Sequence, residues 1–273
     1  MPIVGAVSTR HLPVLLLAAL AAAAPAAAAA PRLAVTQVRC ATPCSTGITT
    51  LASDGGARRV LTRRTGWEDG DPAWSPDGRR LAFTRSKDGR RSFEVLVRSA
   101  TGRLRRITRG RFDERPAWSA DGRWIAYQAT TGIRLVRPDG SGDRGVPGTQ
   151  GAAWPAWAPG GRIAFTQGGY VRTARTDGTG RRRVVRGCEP DWSRDGSRLA
   201  YTGPDGGVFV ASGDGRGARM VHRGMQPDWS PDGSALAFTR WGAGNRFSVW
   251  TMEADGSAAR RLLADARDAD WQP

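Results

Sequence analysis

The feature that most constrains the fold of this chain is a motif that returns several times with small changes. Its clearest copy, PDWSPDGSALAFTR, spans residues 227–240. Further copies span residues 72–85, 116–128, 155–167 and 190–202, and a truncated copy covers 269–271. Proline suits the first position of a strand, Pro-Asp-Gly favours a tight turn, and the apolar run after it is typical of a buried strand. Each copy therefore predicts two strands joined by a tight turn.

A tryptophan of this motif recurs about every 40 residues, a period that indicates a repeat architecture. The recurring residues are Trp74, Trp118, Trp157, Trp192, Trp229 and Trp271. Between copies, segments such as 93–98 and 105–108 predict two more strands around a turn. Four short strands per repeat predict a β-propeller, because one such sheet cannot bury both of its faces alone. We therefore expect an all-β, six-bladed β-propeller with four antiparallel strands per blade, and we assign the recurring tryptophans to packing between blades.

The motif, Pro-x-Trp-Ser-Pro-Asp-Gly followed by an apolar strand and a later Asp-Gly turn, resembles the WD40-like (PD40) repeat of TolB-type six-bladed propellers. The resemblance covers roughly residues 33–273. Its departures include residues 158–160, which are Ala-Pro-Gly instead of Ser-Pro-Asp, and Ala120, which replaces a proline. The resemblance implies a periplasmic adaptor that binds envelope proteins, although one fold serves many functions.

The two ends of the repeat array predict how the ring closes. Residues 33–37, 47–52 and 58–62 match the second, third and fourth strands of a blade that lacks its first strand. Residues 269–271 form an isolated first strand. We expect these segments to share one blade, which would leave no unpaired edge.

Residues 1–30 have the composition of a secretory signal peptide. Arg10 is followed by an apolar run from 12 to 20 and an alanine-rich stretch ending at Ala30. Cleavage there would leave residues 31–273 as one exported propeller domain, periplasmic or extracellular. The alternative is an uncleaved segment that anchors the protein to a membrane.

The net charge of +16 is almost entirely due to arginine, and Lys87 is the sole lysine. The arginines are scattered through all repeats, so we interpret most of them as solvated strand residues. An exported chain seldom meets nucleic acid, which favours anionic polymers, glycans or lipid head groups as partners for this charge.

Three cysteines occur in the chain. Cys40 and Cys44 lie in one short loop, where export favours a disulfide, and a metal pair would lack further ligands nearby. Cys188 is expected to be a buried thiol without a chemical role.

The first candidate site lies on the face of the disc that carries the long connections. These span 39–46, 63–71, 86–92, 110–115 and 241–246, whereas the opposite face carries uniform tight turns. Binding residues concentrate on loops held by a rigid scaffold. The predicted partner-binding residues of this long-loop face are Arg63, Arg64, Trp67, Lys87, Arg90, Arg91, Phe112, Arg115, Trp241 and Arg246.

The second candidate site is the axial mouth, formed by residues that precede each Pro-x-Trp. Besides Arg115, these are Asp71, Trp154, Glu189, Gln226 and Asp268. Two residues further along, Asp191, Asp228 and Asp270 form half a ring of carboxylates. They could bind a cation such as Ca²⁺. The alternative, which we favour, is that each aspartate caps backbone N–H groups or pairs with an arginine.

The sequence favours binding over catalysis. His222 is the one histidine beyond residue 30, and no nucleophile elbow or histidine-based metal motif occurs. A glycosidase that uses two carboxylates needs no sequence signature and stays open. We therefore predict a monomeric, cofactor-free module that binds an envelope or extracellular protein, the alternative being a glycan- or anionic-polymer-binding propeller that uses the axial mouth.

Overall fold

The computed structural model describes residues 31–39, 45–87, 92–242, 244 and 246–273, apart from the side chain of Arg39. The predicted signal peptide, the predicted disulfide of Cys40 and Cys44, and the site residues Arg90 and Arg91 lie outside the described residues.

Strands make up nearly all regular structure of the described residues. In the first half of the chain they are β1 (Arg32–Arg39), β2 (Ser45–Ala52), β3 (Arg59–Val60), β4 (Trp67–Trp74), β5 (Arg80–Lys87), β6 (Phe93–Ser99), β7 (Leu104–Arg106), β8 (Glu114–Trp118), β9 (Ile125–Ala129), β10 (Gly132–Val136), β11 (Arg144–Gly145) and β12 (Ala153–Ala158). After a 3₁₀ turn (Pro159–Gly161) follow β13 (Arg162–Gln167), β14 (Tyr170–Ala174), β15 (Arg182–Arg186), β16 (Cys188–Trp192), β17 (Arg198–Thr202), β18 (Gly207–Ser212), β19 (Arg219–Arg223), β20 (Met225–Trp229), β21 (Ala235–Gly242), β22 (Arg246–Glu253), β23 (Arg260–Ala264) and β24 (Ala266–Trp271).

The strands pair into four sheets of four strands and one sheet of eight. The four-stranded sheets are β8–β11, β12–β15, β16–β19 and β20–β23, each an antiparallel meander. The eight-stranded sheet runs β24-β1-β2-β4-β5-β6-β7, with β3 on β2. Its two halves meet in one parallel pair, Thr46 with Glu68. The predicted all-β propeller is thus confirmed, whereas strand pairing alone does not confirm six separate blades.

The repeated motif folds as its turn chemistry predicts. In the clearest copy, the Ser230 hydroxyl donates to Asp232 Oδ1 (2.6 Å) and accepts from the Ala235 N–H (2.9 Å). The same Asp232 oxygen accepts from the Ser234 N–H (3.0 Å). Gly233 supplies the positive φ of 70° that the turn requires. One Ser-Asp pair therefore satisfies the polar backbone groups that the tight turn exposes.

The core lies between neighbouring sheets. The aromatic residue of the Leu-Ala-Phe-Thr strand is fully buried at Phe83, Phe165 and Phe238. Four of the recurring tryptophans are buried, while Trp74 and Trp157 are half-buried. Trp118 joins two sheets directly, because its indole N–H donates to the Ala73 carbonyl of the preceding repeat (3.0 Å). These contacts agree with the predicted packing role of the tryptophans.

The ends of the described chain pair as predicted. Strand β24 runs antiparallel to β1, with Trp271 opposite Leu33, and the Gln272 N–H donates to the Arg32 carbonyl (2.7 Å). β1, β2 and β3 correspond to the second, third and fourth strands expected at 33–37, 47–52 and 58–62. The first strand of this unit therefore comes from the other end of the chain.

Candidate functional site: the axial channel and the long-loop face

A channel of about 270 Å³ runs along the axis of the propeller. It is lined by residues of the first strand of each repeat: 71–74, 115–118, 154–157, 189–191, 226–228 and 268–270. In a four-stranded antiparallel meander, the connections from strand two to three and from strand four to the next blade lie on one side. The mouth of the channel and the long connections therefore share one face of the disc.

All six mouth residues have left-handed backbone conformations, with φ between 47° and 56°. They are Asp71, Arg115, Trp154, Glu189, Gln226 and Asp268. Each sits where the register between its strand and the next one shifts, as in a β-bulge. A non-glycine residue in this conformation needs support from its surroundings.

That support is a hydrogen bond to the neighbouring repeat. Each mouth residue donates its N–H to a side-chain oxygen on the second strand of the repeat before it, at 3.0–3.2 Å. The pairs are Asp71–Thr36, Arg115–Thr84, Trp154–Gln128, Glu189–Thr166, Gln226–Thr202 and Asp268–Thr239. The last position of each Leu-Ala-Phe-Thr run thus holds the mouth of the next repeat in place, a role that sequence analysis missed.

Arg115, which the sequence analysis assigned to both the long-loop face and the axial mouth, lies at the mouth. Its guanidinium carbon lies 3.2 Å from the centroid of the Trp154 ring, and its Nη1 lies 3.6 Å from Asp71 Oδ1. A cation stacked on an aromatic face and paired with a carboxylate is held firmly. One side of the mouth is therefore filled by the protein's own arginine.

The other side of the mouth is a polar network. Glu189 Oε2 accepts from the Thr202 hydroxyl (2.6 Å) and from the Gln226 N–H (3.0 Å). The Gln226 amide donates to Asp268 Oδ1 (2.6 Å), and Arg267 Nη1 lies 3.5 Å from Asp268 Oδ2. Burial raises the pKa of Glu189 and of Asp268 above their usual values. Glu189, Gln226 and Asp268 are thus held in place by hydrogen bonds within the protein.

The three inner aspartates cap backbone groups. Each carboxylate accepts the backbone N–H of the tryptophan in the next repeat: Trp229 to Asp191 (2.8 Å), Trp271 to Asp228 (2.9 Å) and Trp74 to Asp270 (2.7 Å). This is the arrangement that we favoured over a cation site. No group of three or more His, Cys, Asp or Glu residues placed to hold a metal ion occurs within the described part of the chain.

The inner aspartates also carry shifted pKa values. Burial raises the pKa of Asp191 to about 7 and that of Asp270 to about 8. Burial, followed by the nearby charges of Asp270 and Asp191, raises the pKa of Asp228 well above its usual range. Like charges that share a poorly solvated site favour protonation. The inner channel therefore holds protons near neutral pH.

The recurring tryptophans pack in two ways. Which one applies depends on whether the preceding repeat has an alanine or an aspartate directly before its own tryptophan. After an alanine, the indole N–H is satisfied: Trp118 donates to Ala73, Trp157 to Ala117 and Trp192 to Gly213. After an aspartate, the indole N–H of Trp74, Trp229 and Trp271 is buried without a partner. The carboxylate binds the backbone N–H instead. At three of the six repeats, the tryptophan therefore has a hydrogen bond at its backbone N–H and none at its indole N–H.

The described long-loop residues form three separate groups. At the first, Arg64 stacks over Trp67 (4.9 Å), and Trp67 pairs across the ladder with Lys87. Arg63 is exposed nearby in the chain.

In the second group, the Trp241 ring, 54% exposed, packs edge-on against Phe247 (4.4 Å). Arg246 forms an ion pair with Asp265. The third group is Phe112, 39% exposed in the loop before β8, whose ring centroid lies 6.3 Å from that of Phe93. The structure brings Arg64, Trp67 and Lys87 together, but it records no contact between them and Trp241.

The histidine and the third cysteine show no catalytic arrangement. His222 lies on β19, where its Nδ1 contacts the Arg223 carbonyl (2.8 Å) and its ring packs on Phe238. Cys188 is half-buried rather than fully buried, and burial raises the pKa of its thiol to about 11. Among the described residues, neither the imidazole nor the thiol forms a hydrogen bond with an acidic, basic or nucleophilic side chain.

The closed ring of antiparallel sheets around an axial channel defines a β-propeller. Among solved structures, its fold is similar to that of TolB from Acinetobacter baumannii (TM-score 0.76, 18% identity, covering 89% of this chain and 67% of that chain). It is also similar to a protein described as TolB from Agrobacterium tumefaciens (TM-score 0.65, 18% identity, 87% and 90%) and to a chain of a nidogen/laminin complex (TM-score 0.69, 16% identity, 89% and 98%). No protein-family model and no curated protein matches the sequence. The resemblance to TolB-type propellers is therefore confirmed for the fold.

Proposed function

We propose that this chain is an exported, non-catalytic, six-bladed propeller that binds a protein partner through its long-loop face. The observation that carries the proposal is the position of its exposed aromatic residues. Large apolar side chains are exposed at Val60, Leu104, Phe112, Met220 and Trp241. The two aromatics among them, Phe112 and Trp241, lie on or beside long connections of one face. Aromatic anchors of this kind dominate protein interfaces.

Six blades are supported by the repeated contact at the mouth. The bond from a mouth N–H to the preceding repeat occurs six times, and one of these, Asp71 to Thr36, crosses the eight-stranded sheet. That sheet is joined at its middle by the single pair of Thr46 with Glu68. We therefore count β24-β1-β2-β3 and β4–β7 as two blades that pack side by side and share a single β-ladder pair.

Export is supported by the composition of residues 1–30. Within the described ranges, no helix has the length and apolar character needed to cross a membrane. The TolB and nidogen/laminin structures provide the analogy for a propeller that serves as a binding module. A non-catalytic role fits the isolated position of His222 on an outer strand.

The sequence-based alternative was a glycan or an anionic polymer at the axial mouth, and the anionic polymer receives less support. Asp71, Glu189 and Asp268 surround the mouth, and Arg115 is already stacked and paired. A polyanion would meet like charges there, which costs binding free energy.

The proposal is tested by capturing a partner from a cell-envelope fraction with residues 31–273 and then measuring its affinity as a purified protein. Replacing Phe112 and Trp241 together by alanine should weaken binding at least about tenfold, since buried aromatic anchors contribute about 2 kcal/mol or more. The matched control is Met220→Ala, which removes an equally exposed apolar side chain from the outer strand β19. Unchanged affinity of the double variant, or equal loss in the control, would refute the long-loop interface.

A further inference from the structure

The opposite face of the disc carries a cavity of about 650 Å³, which we call the turn-face cavity. Three consecutive tight turns form its rim: 119–124, 158–161 and 193–196. Its floor consists of Trp118, Trp124, Trp157 and Trp192. Ligand sites in proteins are typically apolar, aromatic-lined cavities of about 300–1,000 Å³ with a few polar groups at fixed positions. The turn-face cavity meets each of these criteria.

The cavity exists because the repeat departs from its pattern in these three turns. Residues 158–161 lack the Ser and Asp of the other copies, and the turn is shorter: Trp157 pairs with Ile163, whereas Trp229 pairs with Leu236. A Cβ atom added at Gly160 would meet no atom within 4 Å. The neighbouring turns carry Ala120 and Arg194 where the first copy has Pro76. The irregular residues of the repeat thus surround one cavity.

Trp124 and Trp157 are half-buried and supply the accessible ring surface of the floor, whereas Trp118 and Trp192 are buried and Arg80 stacks over the Trp118 ring (4.7 Å). The indole N–H groups of Trp118, Trp157 and Trp192 already donate to backbone carbonyls at 3.0–3.1 Å. Arg137 and Arg144 lie 5.3 and 5.2 Å from the ring of Trp124. A ligand would therefore contact the floor through apolar C–H groups.

The rim offers hydrogen bonds of both kinds. Hydrogen bonds from Ser119 and Ser193 lower the pKa of Asp121 and, to about 2, that of Asp195, so both carboxylates are ionised. Both oxygens of Asp195 already accept hydrogen bonds from Ser197 (2.9 and 2.8 Å). Arg194 is exposed and forms no hydrogen bond or ion pair with another described residue. Its guanidinium is a free planar donor at the same rim. The rim therefore carries two carboxylates and one guanidinium.

We infer that the turn-face cavity binds a saccharide. A pyranose ring presents a face of C–H groups, which matches the indole floor, and an edge of hydroxyl groups, which matches the Asp121 carboxylate and the Arg194 guanidinium. An apolar or aromatic peptide side chain would fit the floor but would cover these charged rim groups without pairing them, which is unfavourable. A polyanion would meet the two aspartates.

The test uses residues 31–273 with the neutral trisaccharides maltotriose, cellotriose and chitotriose as probes, followed by indole ¹H–¹⁵N resonances and calorimetry. At least one of them should bind and shift tryptophan resonances. Ala120→Trp should abolish this binding by filling the cavity from an exposed rim position. The matched control Arg79→Trp adds the same side chain to an exposed turn residue remote from the cavity and should bind like wild type. Arg194→Ala should weaken binding about three- to tenfold through the lost hydrogen bonds.

Three results would overturn the inference, each with variants that circular dichroism shows to be folded. The first is no binding of any trisaccharide up to about 10 mM. The second is Ala120→Trp binding like wild type, and the third is equal loss in Ala120→Trp and Arg79→Trp. None of them bears on the long-loop interface, because that face lies on the other side of the disc.

Discussion

Replacing the three inner aspartates by asparagine should stabilise the protein at neutral and alkaline pH. Asp191, Asp228 and Asp270 have raised pKa values in the folded state, chiefly because burial disfavours their charged form. In the unfolded chain an aspartate titrates near pH 4. The folded state therefore binds more protons, so the stabilisation is fully present below about pH 4 and is lost as the pH rises through about 7 to 8.

The magnitude follows from the size of the shifts. One pKa unit corresponds to about 1.4 kcal/mol, so a single unit at each of three sites already costs about 4 kcal/mol between pH 4 and pH 8. Asparagine Oδ1 can still accept the tryptophan N–H that each aspartate now binds, and its amide would face the channel. The triple variant should therefore keep the fold and lose this part of the pH dependence.

The assay is urea unfolding at pH 4, 5, 6, 7 and 8 for wild type and the triple variant. The difference in unfolding free energy should grow with pH in favour of the variant by at least about 4 kcal/mol. Asp205→Asn, at an exposed turn, serves as the control and should show no such trend. Parallel curves for wild type and the triple variant would refute the argument that these carboxyl groups are protonated in the folded state.

Three further substitutions test contacts that hold the scaffold together. Asp69→Ala leaves the buried guanidinium of Arg85 without its carboxylate (2.6 Å) and should lower the unfolding free energy by about 3–5 kcal/mol in urea titrations. Thr239→Val removes the acceptor of the Asp268 N–H and should cost about 1–3 kcal/mol, whereas Thr239→Ser should stay near wild type in the same titrations. Gly132→Ala places a Cβ 2.2 Å from a backbone oxygen at φ +116° and should lower the Tm by several degrees, about 2–4 °C per kcal/mol, in calorimetry. Wild-type stability in any of the three would contradict the contact concerned.

The strands could be predicted from the sequence because their determinants are local and repeated. The turn at Ser230 to Gly233 needs only residues within five positions of one another. The closure by β24 and β1 could also be predicted, since it follows from counting which strand of a repeat is missing at each end. The number of separate sheets could not be predicted from the sequence. Two repeats form one eight-stranded sheet through the pair of Thr46 with Glu68, and this contact depends on how the two repeats approach each other.

The candidate sites were harder to predict because they depend on neighbouring repeats. Arg115 could be assigned to either site from the sequence, because it ends a long loop and also precedes a Pro-x-Trp; only the structure shows that it contacts Asp71 and Trp154. The turn-face cavity was missed although the Ala-Pro-Gly departure at 158–160 was visible. Its volume arises only where that turn meets its neighbours on both sides.

The pairing of Leu33 with Trp271 also determines when the ring can close during folding. During synthesis β1 emerges early and β24 emerges after every other described strand, so β1 has no inner neighbour until almost the whole chain is available. A contact between such distant segments carries a large loop-closure entropy and slows folding. Until then, the exposed edge of β1 can pair with another unfinished molecule, so newly made chains would gain from a chaperone that shields this edge.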